Sequence, residues 1–239
     1  MLKDEIKQVK SLEKEIAPFL SAKGFKEKEP VLNYNADLGP DVKADLSINI
    51  KGWEGDYSFQ TIYTITFNQV EKYWVKYKAD LNEADQPRHP TLAFIISDID
   101  PQQDTGYHDM FGKSRYKAST DKDVQEFAGL FKKQYNELVE PLIKQAADIR
   151  WMNEKLNSNP MDFKQVAPFH KQHLILRKLI IAKLAGDKKY EDIYTQFRDL
   201  CARHIAATND ELSKKILMVI DKVHEDLKKV EPLQNPVLL

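Results

Sequence analysis

The sequence predicts an α+β protein. An N-terminal helix packs on an antiparallel sheet of four to five strands, and a long kinked helix leads into a helical C-terminal region. Apolar residues recur every three to four positions over residues 2–22, the spacing of a helix with one buried face. Aromatic and β-branched residues alternate with polar ones between residues 31 and 78, the pattern of half-buried strands. The helical spacing returns after Thr120.

The clearest strand signal is Tyr57–Asn68, in which aromatic and β-branched side chains occupy almost every second position. Further strands are predicted at 31–36, 46–50, 72–78 and 92–96, and the last has apolar side chains on both faces. Short turns join all but the last of these segments. Such turns permit only antiparallel pairing, because parallel strands need a long crossover.

The second half of the chain is predicted to be helical. Thr120 is suited to cap a long helix. Pro141 is expected to kink or divide that helix, because proline lacks the N–H that a helix interior uses. Three helices follow, over about 168–184, over about 188–206 and from a cap at Asn209 onward.

The segment Asn157–Pro160 is the best candidate for a domain boundary. We therefore predict an α+β domain over residues 1–157 and a helical C-terminal region over residues 161–239. That region either stands apart or packs as one unit with the first. A chain of 239 residues is long enough for either arrangement. No fixed-period repeat is present, which argues against a helical repeat protein.

Composition narrows the class of protein. Charged residues make up 31% of the chain and apolar residues 42%, as in soluble globular proteins. The N-terminus is charged from its third residue, so it does not resemble a signal peptide, and no apolar run is long enough to span a bilayer. The single cysteine excludes an intrachain disulfide. We expect a cytoplasmic protein. The net charge of −1 disfavours membrane surfaces and nucleic acids as partners.

Negative charge is concentrated between Ala79 and Asp109, where Arg88 is the one basic residue. The acidic residues there are Asp80, Glu83, Asp85, Asp98, Asp100, Asp104 and Asp109. An acidic surface of this kind suits a basic protein partner, because complementary charge speeds association and adds specificity. The candidate partner-binding residues are Asp98, Asp100, Asp104 and Asp109. Two solvated loops are the alternative interpretation.

Trp74 is a further candidate for partner binding. If residues 72–78 form a strand with Tyr73 and Tyr77 facing inward, Trp74 faces outward. An exposed tryptophan on a sheet is a candidate binding anchor. The alternative is that helices cover that face and Trp74 belongs to the core.

Two pairs of residues could form a zinc site. His170 and His173 lie three positions apart in one predicted helix, and Cys201 and His204 do so in the next. If these helices form a hairpin about Gly186, the two pairs come level and could share a face. Zinc favours tetrahedral sets of nitrogen and sulfur ligands. Ordinary core and surface positions are the alternative, and no cofactor is otherwise expected.

The segment that carries Asp98, Asp100, Asp104, His108 and Asp109 suggests a different chemistry. Carboxylates and imidazole at a strand end are what a metal-dependent hydrolase needs. Their spacing does not fit a calcium-binding loop. The chain has no glycine-rich phosphate loop and no GxSxG motif, so catalytic residues cannot be assigned from motifs.

Several short motifs resemble a bacterial family of uncharacterised α+β domains, known as domains of unknown function. They are Lys23-Gly24-Phe25-Lys26 after the first helix, the alternating strands through Phe67, Leu138-Val139-Glu140-Pro141-Leu142 and Ala185-Gly186-Asp187. The resemblance covers most of the chain. It implies no catalytic residues, and it implies a likeness to immunity proteins, which neutralise a partner toxin.

The sequence therefore predicts a non-enzymatic, immunity-like module that binds a protein partner. A metal-dependent hydrolase and a helical scaffold that assembles through its C-terminal region are the two alternatives.

Overall fold

The structure, a computed structural model, describes residues 6–53, 56–82, 90–103, 115–163 and 174–233. It has the predicted α+β architecture: an N-terminal helix, an antiparallel sheet and then a series of helices. The chain forms two compact units. The first unit draws on Met1–Thr66 and Leu92–Lys144, and the second on Phe67–Thr91, Gln145–Val166 and His170–Leu239.

The sheet is built from short strands around two long ones. In chain order the strands are β1 (Lys26–Lys28), β2 (Asn33–Gly39), β3 (Val42–Trp53), β4 (Asp56–Phe67), β5 (Leu92–Phe94) and β6 (Tyr116–Lys117). Their order across the sheet is β1-β2-β3-β4-β5, and β6 also pairs with β4. The predicted strands at 31–36, 46–50, 57–68 and 92–96 are confirmed as β2 to β5, with shifted ends.

Two long helices cover the core of the first unit. Helix α1 (Lys7–Ala22) buries an apolar stripe at the spacing that the sequence predicts. Helix α4 (Asp121–Gln134) packs against α1. Its predicted cap is confirmed, because the Thr120 hydroxyl accepts a hydrogen bond from the Asp123 N–H at 3.2 Å, and the Asp123 carboxylate accepts one from the Thr120 N–H at 2.8 Å.

The predicted interruption near Pro141 takes the form of a π-helical turn at Tyr135–Val139, followed directly by helix α5 (Glu140–Ala146). Pro141 cannot donate to the carbonyl four residues before it. The wider turn accommodates this missing hydrogen bond without ending the helical path. Between β5 and β6 lie the short helix α3 (Ile96–Ile99) and a 3₁₀ turn at Pro101–Gln103.

The second unit is helical. Its helices are α2 (Asn68–Tyr77), α6 (Ile149–Asn157), α7 (Leu174–Ala185), α8 (Tyr190–Thr208) and α9 (Glu211–Leu227). Gly186, with φ of +72°, follows α7 in the left-handed region that glycine accepts without strain. None of the helices within the described ranges is long and apolar enough to cross a membrane.

Two details differ from the sequence prediction. The strand predicted at 72–78 is wrong, because this segment forms the helix α2, whose buried residues Val70, Tyr73 and Tyr77 are three and four positions apart. Val75 distinguishes the helix from a strand. In a strand it would share the buried face of Tyr73 and Tyr77, whereas it is 46% exposed. Asn209 does not cap α9. It ends α8 with φ of +53°, and Asp210 caps α9 instead.

The contacts group residues 145–166 with the C-terminal helices. The predicted boundary at Asn157–Pro160 would separate two regions that fold independently, and it stays a prediction.

Candidate functional site

An acidic recess lies at the outer edge of the sheet in the first unit. It encloses about 170 Å³ between helix α1, strand β1 and the turn that joins β1 to β2. We call it the acidic recess. Its lining residues are Glu13, Glu27, Lys28, Glu29, Val31, Leu32 and Asn33. Among the described residues, three glutamates and one lysine therefore line one small cavity, beside two apolar side chains.

The register of the sheet decides which side chains face this recess. Strand β1 runs antiparallel to β2, and Glu27 lies directly opposite Tyr34. Directly opposed residues in an antiparallel pair point to the same face of the sheet. The Glu27 carboxylate and the Tyr34 phenol therefore lie on one face, which is the face that α1 covers with Glu13.

Tyr34 is not among the residues that line the recess, but its buried hydroxyl is within electrostatic reach of two that are, Glu13 and Glu27. The residue is only 1% exposed, and its hydroxyl oxygen has no hydrogen-bond partner within the described part of the chain. Burial raises the pKa of Tyr34, and the negative charges of Glu13 and Glu27 raise it further. The phenol is therefore neutral, and it lies within electrostatic reach of both carboxylates.

A second buried hydroxyl shows that burial alone does not make a site. Tyr63 on β4 also has no hydrogen-bond partner for its hydroxyl among the residues described. Its ring stacks on Phe94 with 5.3 Å between ring centroids. Burial raises the pKa of Tyr63, and the neighbouring phenols of Tyr135 and Tyr116 raise it further. No carboxylate among the described residues raises its pKa, so Tyr63 is a core residue and a suitable control for Tyr34.

The acidic recess suits an organic cation. Carboxylates accept hydrogen bonds, and the phenol oxygen of Tyr34 accepts one while its O–H donates. Val31 and Leu32 provide an apolar wall for methylene groups. No group of three His, Cys, Asp or Glu side chains in the described ranges has the geometry of a metal site. The carboxylates and the apolar wall together suit an alkylammonium or a guanidinium group.

The carboxylates predicted to bind a partner make local hydrogen bonds. Asp98 accepts from the Ile95 N–H at 2.9 Å and so caps helix α3, and Asp100 accepts from the Gln102 N–H at 3.1 Å. Asp104, His108 and Asp109 lie outside the described residues. Asp98 and Asp100 thus shape the chain after β5, and their role in partner binding stays a prediction.

Trp74 does not form the predicted exposed anchor. It lies in helix α2 rather than in a strand, and it is 4% exposed. It shares the buried face of α2 with Val70 and Tyr77, which are four positions before it and three after it. The helical period that overturns the strand prediction therefore also buries this side chain.

The predicted zinc ligands fall partly outside the described residues, where His170 and His173 lie. Cys201 is buried on α8, whereas His204, three positions later, is exposed. Burial raises the pKa of the Cys201 thiol, and nearby Asp221 raises it further, which opposes the thiolate form that binds zinc. The four-residue site stays a prediction.

Sequence reasoning missed a buried ion pair in the second unit. Arg177 on α7 donates from Nε to Glu71 Oε1 at 2.9 Å and from its terminal nitrogen to Glu71 Oε2 at 2.8 Å. The Thr91 hydroxyl donates to Glu71 Oε1 at 2.8 Å and accepts from the Phe67 N–H at 2.9 Å. Glu71 would have been found by a helical interpretation of 68–77, because it then falls on the buried side.

Lys178, the residue after Arg177, is also buried. Its ammonium donates to the carbonyl oxygens of Pro160 and Asp162, each at 2.8 Å, and burial lowers its pKa to about 8. In the first unit, buried Arg115 donates to the Ser58 hydroxyl at 2.8 Å and to the Ser58 carbonyl oxygen at 3.1 Å. These side chains hold segments of their own unit in place.

Comparison with protein-family models, with curated proteins and with solved structures finds no match. The resemblance to bacterial domains of unknown function therefore stays a prediction. The contacts of the acidic recess are the basis for a functional proposal.

Proposed function

We propose that the protein is a non-enzymatic interaction module that binds a lysine or arginine side chain of a protein partner in the acidic recess. The observation that carries the proposal is the Tyr34 hydroxyl, which is buried beside Glu13 and Glu27 and has no hydrogen-bond partner among the described residues. A bound cation supplies the missing donor, because an ammonium group has three N–H bonds to distribute.

The charges of the recess favour a cationic ligand over a neutral one. Glu13, Glu27 and Glu29 line the same cavity, and Lys28 is the one basic residue among the described residues that line it. The ammonium group of Lys28 lies 3.4 Å from the carboxylate of Asp45 on β3, and this carboxylate offsets part of the lysine's charge. Partial enclosure of the recess strengthens the attraction between its carboxylates and a cationic ligand, because the local dielectric is lower than in water.

The acidic segment between Ala79 and Asp109 also predicts a basic protein partner. In the present proposal this partner binds at the acidic recess instead of at that segment. The resemblance to immunity proteins fits it, because neutralising a toxin requires only that a partner surface be occupied. The surface around Asp98 and Asp100 remains an alternative binding site that the experiment below distinguishes.

The test is a titration with Nα-acetyl-lysine-N-methylamide, followed by amide NMR spectra. We expect shifts centred on residues 27–34, and about tenfold weaker binding in the variant Glu13→Gln/Glu27→Gln/Glu29→Gln, because charge-assisted hydrogen bonds are lost. The matched control variant, Asp98→Asn/Asp100→Asn, also removes acidic residues and should bind as the wild type does.

The uncharged norleucine analogue of the same ligand is the second control, and it should leave the spectra unchanged. Equal shifts with both ligands, or undiminished binding by the triple variant, would overturn the proposal. Weaker binding by the Asp98→Asn/Asp100→Asn variant alone would place the site after β5 instead.

A further inference from the structure

The acidic recess opens beside a free edge of the sheet. Strand β1 is the last strand in the order β1-β2-β3-β4-β5, and no described strand lies on its outer side. Its residues Lys26, Glu27 and Lys28 are all exposed. A sheet edge of this kind presents backbone N–H and C=O groups that can pair with an added strand.

The two faces of β1 carry opposite charges. Glu27 lies on the face of Tyr34 and the acidic recess. Lys26 and Lys28, opposite Asn35 and Asn33, alternate with Glu27 and point to the other face. Lys28 also borders the recess, but its ammonium group lies 3.4 Å from Asp45, which is opposite Asn35 on β3 and so on that other face. The edge is negative on the side of the recess and positive on the side away from it.

We infer that the partner adds an extended strand to the outer edge of β1, with a basic residue facing the acidic recess and acidic residues on either side of it facing Lys26 and Lys28. The inference rests on the proposed function of the recess and specifies the partner's conformation and sequence pattern. Opposite charges across neighbouring strands stabilise such pairs, and like charges destabilise them. Backbone pairing supplies affinity and the alternating side chains supply specificity.

The same charges explain how an exposed edge avoids indiscriminate pairing. A uniformly basic strand would place cations against Lys26 and Lys28, and a uniformly acidic strand would place carboxylates against the recess. An apolar strand would meet charged side chains on both faces. Only the alternating pattern avoids all three penalties, so the repulsive contacts select the partner as much as the attractive ones do.

The first experiment compares two peptides of identical composition by NMR titration. They are acetyl-Thr-Glu-Lys-Glu-Thr-amide, which has the alternating pattern, and acetyl-Thr-Lys-Glu-Glu-Thr-amide, which does not. We expect the alternating peptide to bind about fivefold more tightly, and Nα-methylation of its central lysine to weaken binding if that amide pairs with β1. Equal binding of the two peptides would overturn the inference.

The second experiment reverses the charges on one face of β1. The variant Lys26→Glu/Lys28→Glu should reverse the preference, so that acetyl-Thr-Lys-Lys-Lys-Thr-amide binds more tightly than the alternating peptide. Lys43→Glu, an exposed change on β3, should leave the wild-type preference unaltered. An unchanged preference in the double variant would contradict strand addition.

The outcomes separate the inference from the proposal on which it rests. If the lysine analogue binds in the recess and the peptides show no pattern preference, strand addition is wrong and the recess still binds cations. If neither the lysine analogue nor any peptide binds, both are wrong.

Discussion

Two buried sites, one in each unit, differ in whether their polar side chains are paired. In the second unit the buried charges of Glu71 and Arg177 meet each other in two hydrogen bonds, and buried Lys178 donates to two backbone carbonyl groups at 2.8 Å. In the first unit the Tyr34 hydroxyl is buried beside two carboxylates and has no partner within the described ranges. A paired buried group stabilises one conformation, whereas an unpaired one lacks a hydrogen bond that the proposed cationic ligand would supply.

The largest expected effect is at the paired charges. Glu71→Gln should lower the free energy of unfolding by about 3–5 kcal/mol, because it leaves the Arg177 charge buried without its counterion. Chemical denaturation measures the change. The double variant Glu71→Met/Arg177→Met should lose less than the single variant, since it removes both charges. A loss below about 1 kcal/mol in Glu71→Gln would contradict this expectation, because the ion pair would then contribute little to the free energy of unfolding.

A smaller effect is expected at Lys178. Lys178→Met retains most of the side-chain volume and removes the donors to the carbonyl oxygens of Pro160 and Asp162. The free energy of unfolding should fall by about 2 kcal/mol, because buried acceptors lose their partners. Lys183→Met is the matched control on the same helix. Equal stability of the two variants would show that the carbonyl contacts of Lys178 do not stabilise the second unit.

The second unit also has a buried histidine, whose effect depends on pH. His224 is stacked on Tyr194 with 3.7 Å between ring centroids, and its Nδ1 lies 2.9 Å from the Tyr190 hydroxyl. Burial lowers the pKa of His224, so the unfolded chain binds a proton at a pH where the folded chain does not. Stability should therefore fall as the pH drops below about 6.5, by at most about 1.4 kcal/mol per pH unit.

Denaturation of the wild type and of His224→Phe at pH 5 to 7 checks this dependence. The difference between their free energies of unfolding should change with pH in that range. Parallel pH profiles would show that His224 is not the group responsible.

The smallest expected effect is at the unpaired hydroxyls. Tyr34→Phe and Tyr63→Phe should each change the free energy of unfolding of the free protein by less than about 0.5 kcal/mol, or stabilise it slightly, because neither hydroxyl has a hydrogen bond to lose within the described chain. Thermal and chemical denaturation measure both. A loss above about 1 kcal/mol in Tyr34→Phe alone would show that its hydroxyl is paired within the fold, and the contrast between the units would disappear.

Much of the fold follows from local patterns in the sequence. The alternation in 57–68 and the short turns around it are enough to predict a meander, because each strand finds its partner next to it in the chain. Strand β1 was not predicted, since its charged residues give no apolar pattern and it is extended only through pairing with β2. In α2, Tyr73 and Tyr77 satisfy both periods, and the buried Trp74 and exposed Val75 distinguish helix from strand.

The candidate site was less accessible to sequence reasoning. Glu13 belongs to a helix in which charged residues cover the outer face, and Glu27 lies in a run of alternating charges that is typical of a solvated turn. Their common cavity depends on the register that places Glu27 opposite Tyr34. Spacing in the sequence does not encode that register, and the missing partner of a hydroxyl is visible only in three dimensions.

The most direct test of the account is the affinity of the Tyr34→Phe variant for Nα-acetyl-lysine-N-methylamide, measured beside the wild type and Tyr63→Phe. Tyr34→Phe should bind about fivefold to tenfold more weakly than the wild type at unchanged stability, since one hydrogen bond to the ammonium is lost. Tyr63→Phe should bind as the wild type does. Equal affinities of all three proteins would contradict the claim that the buried Tyr34 hydroxyl is completed by a cationic ligand.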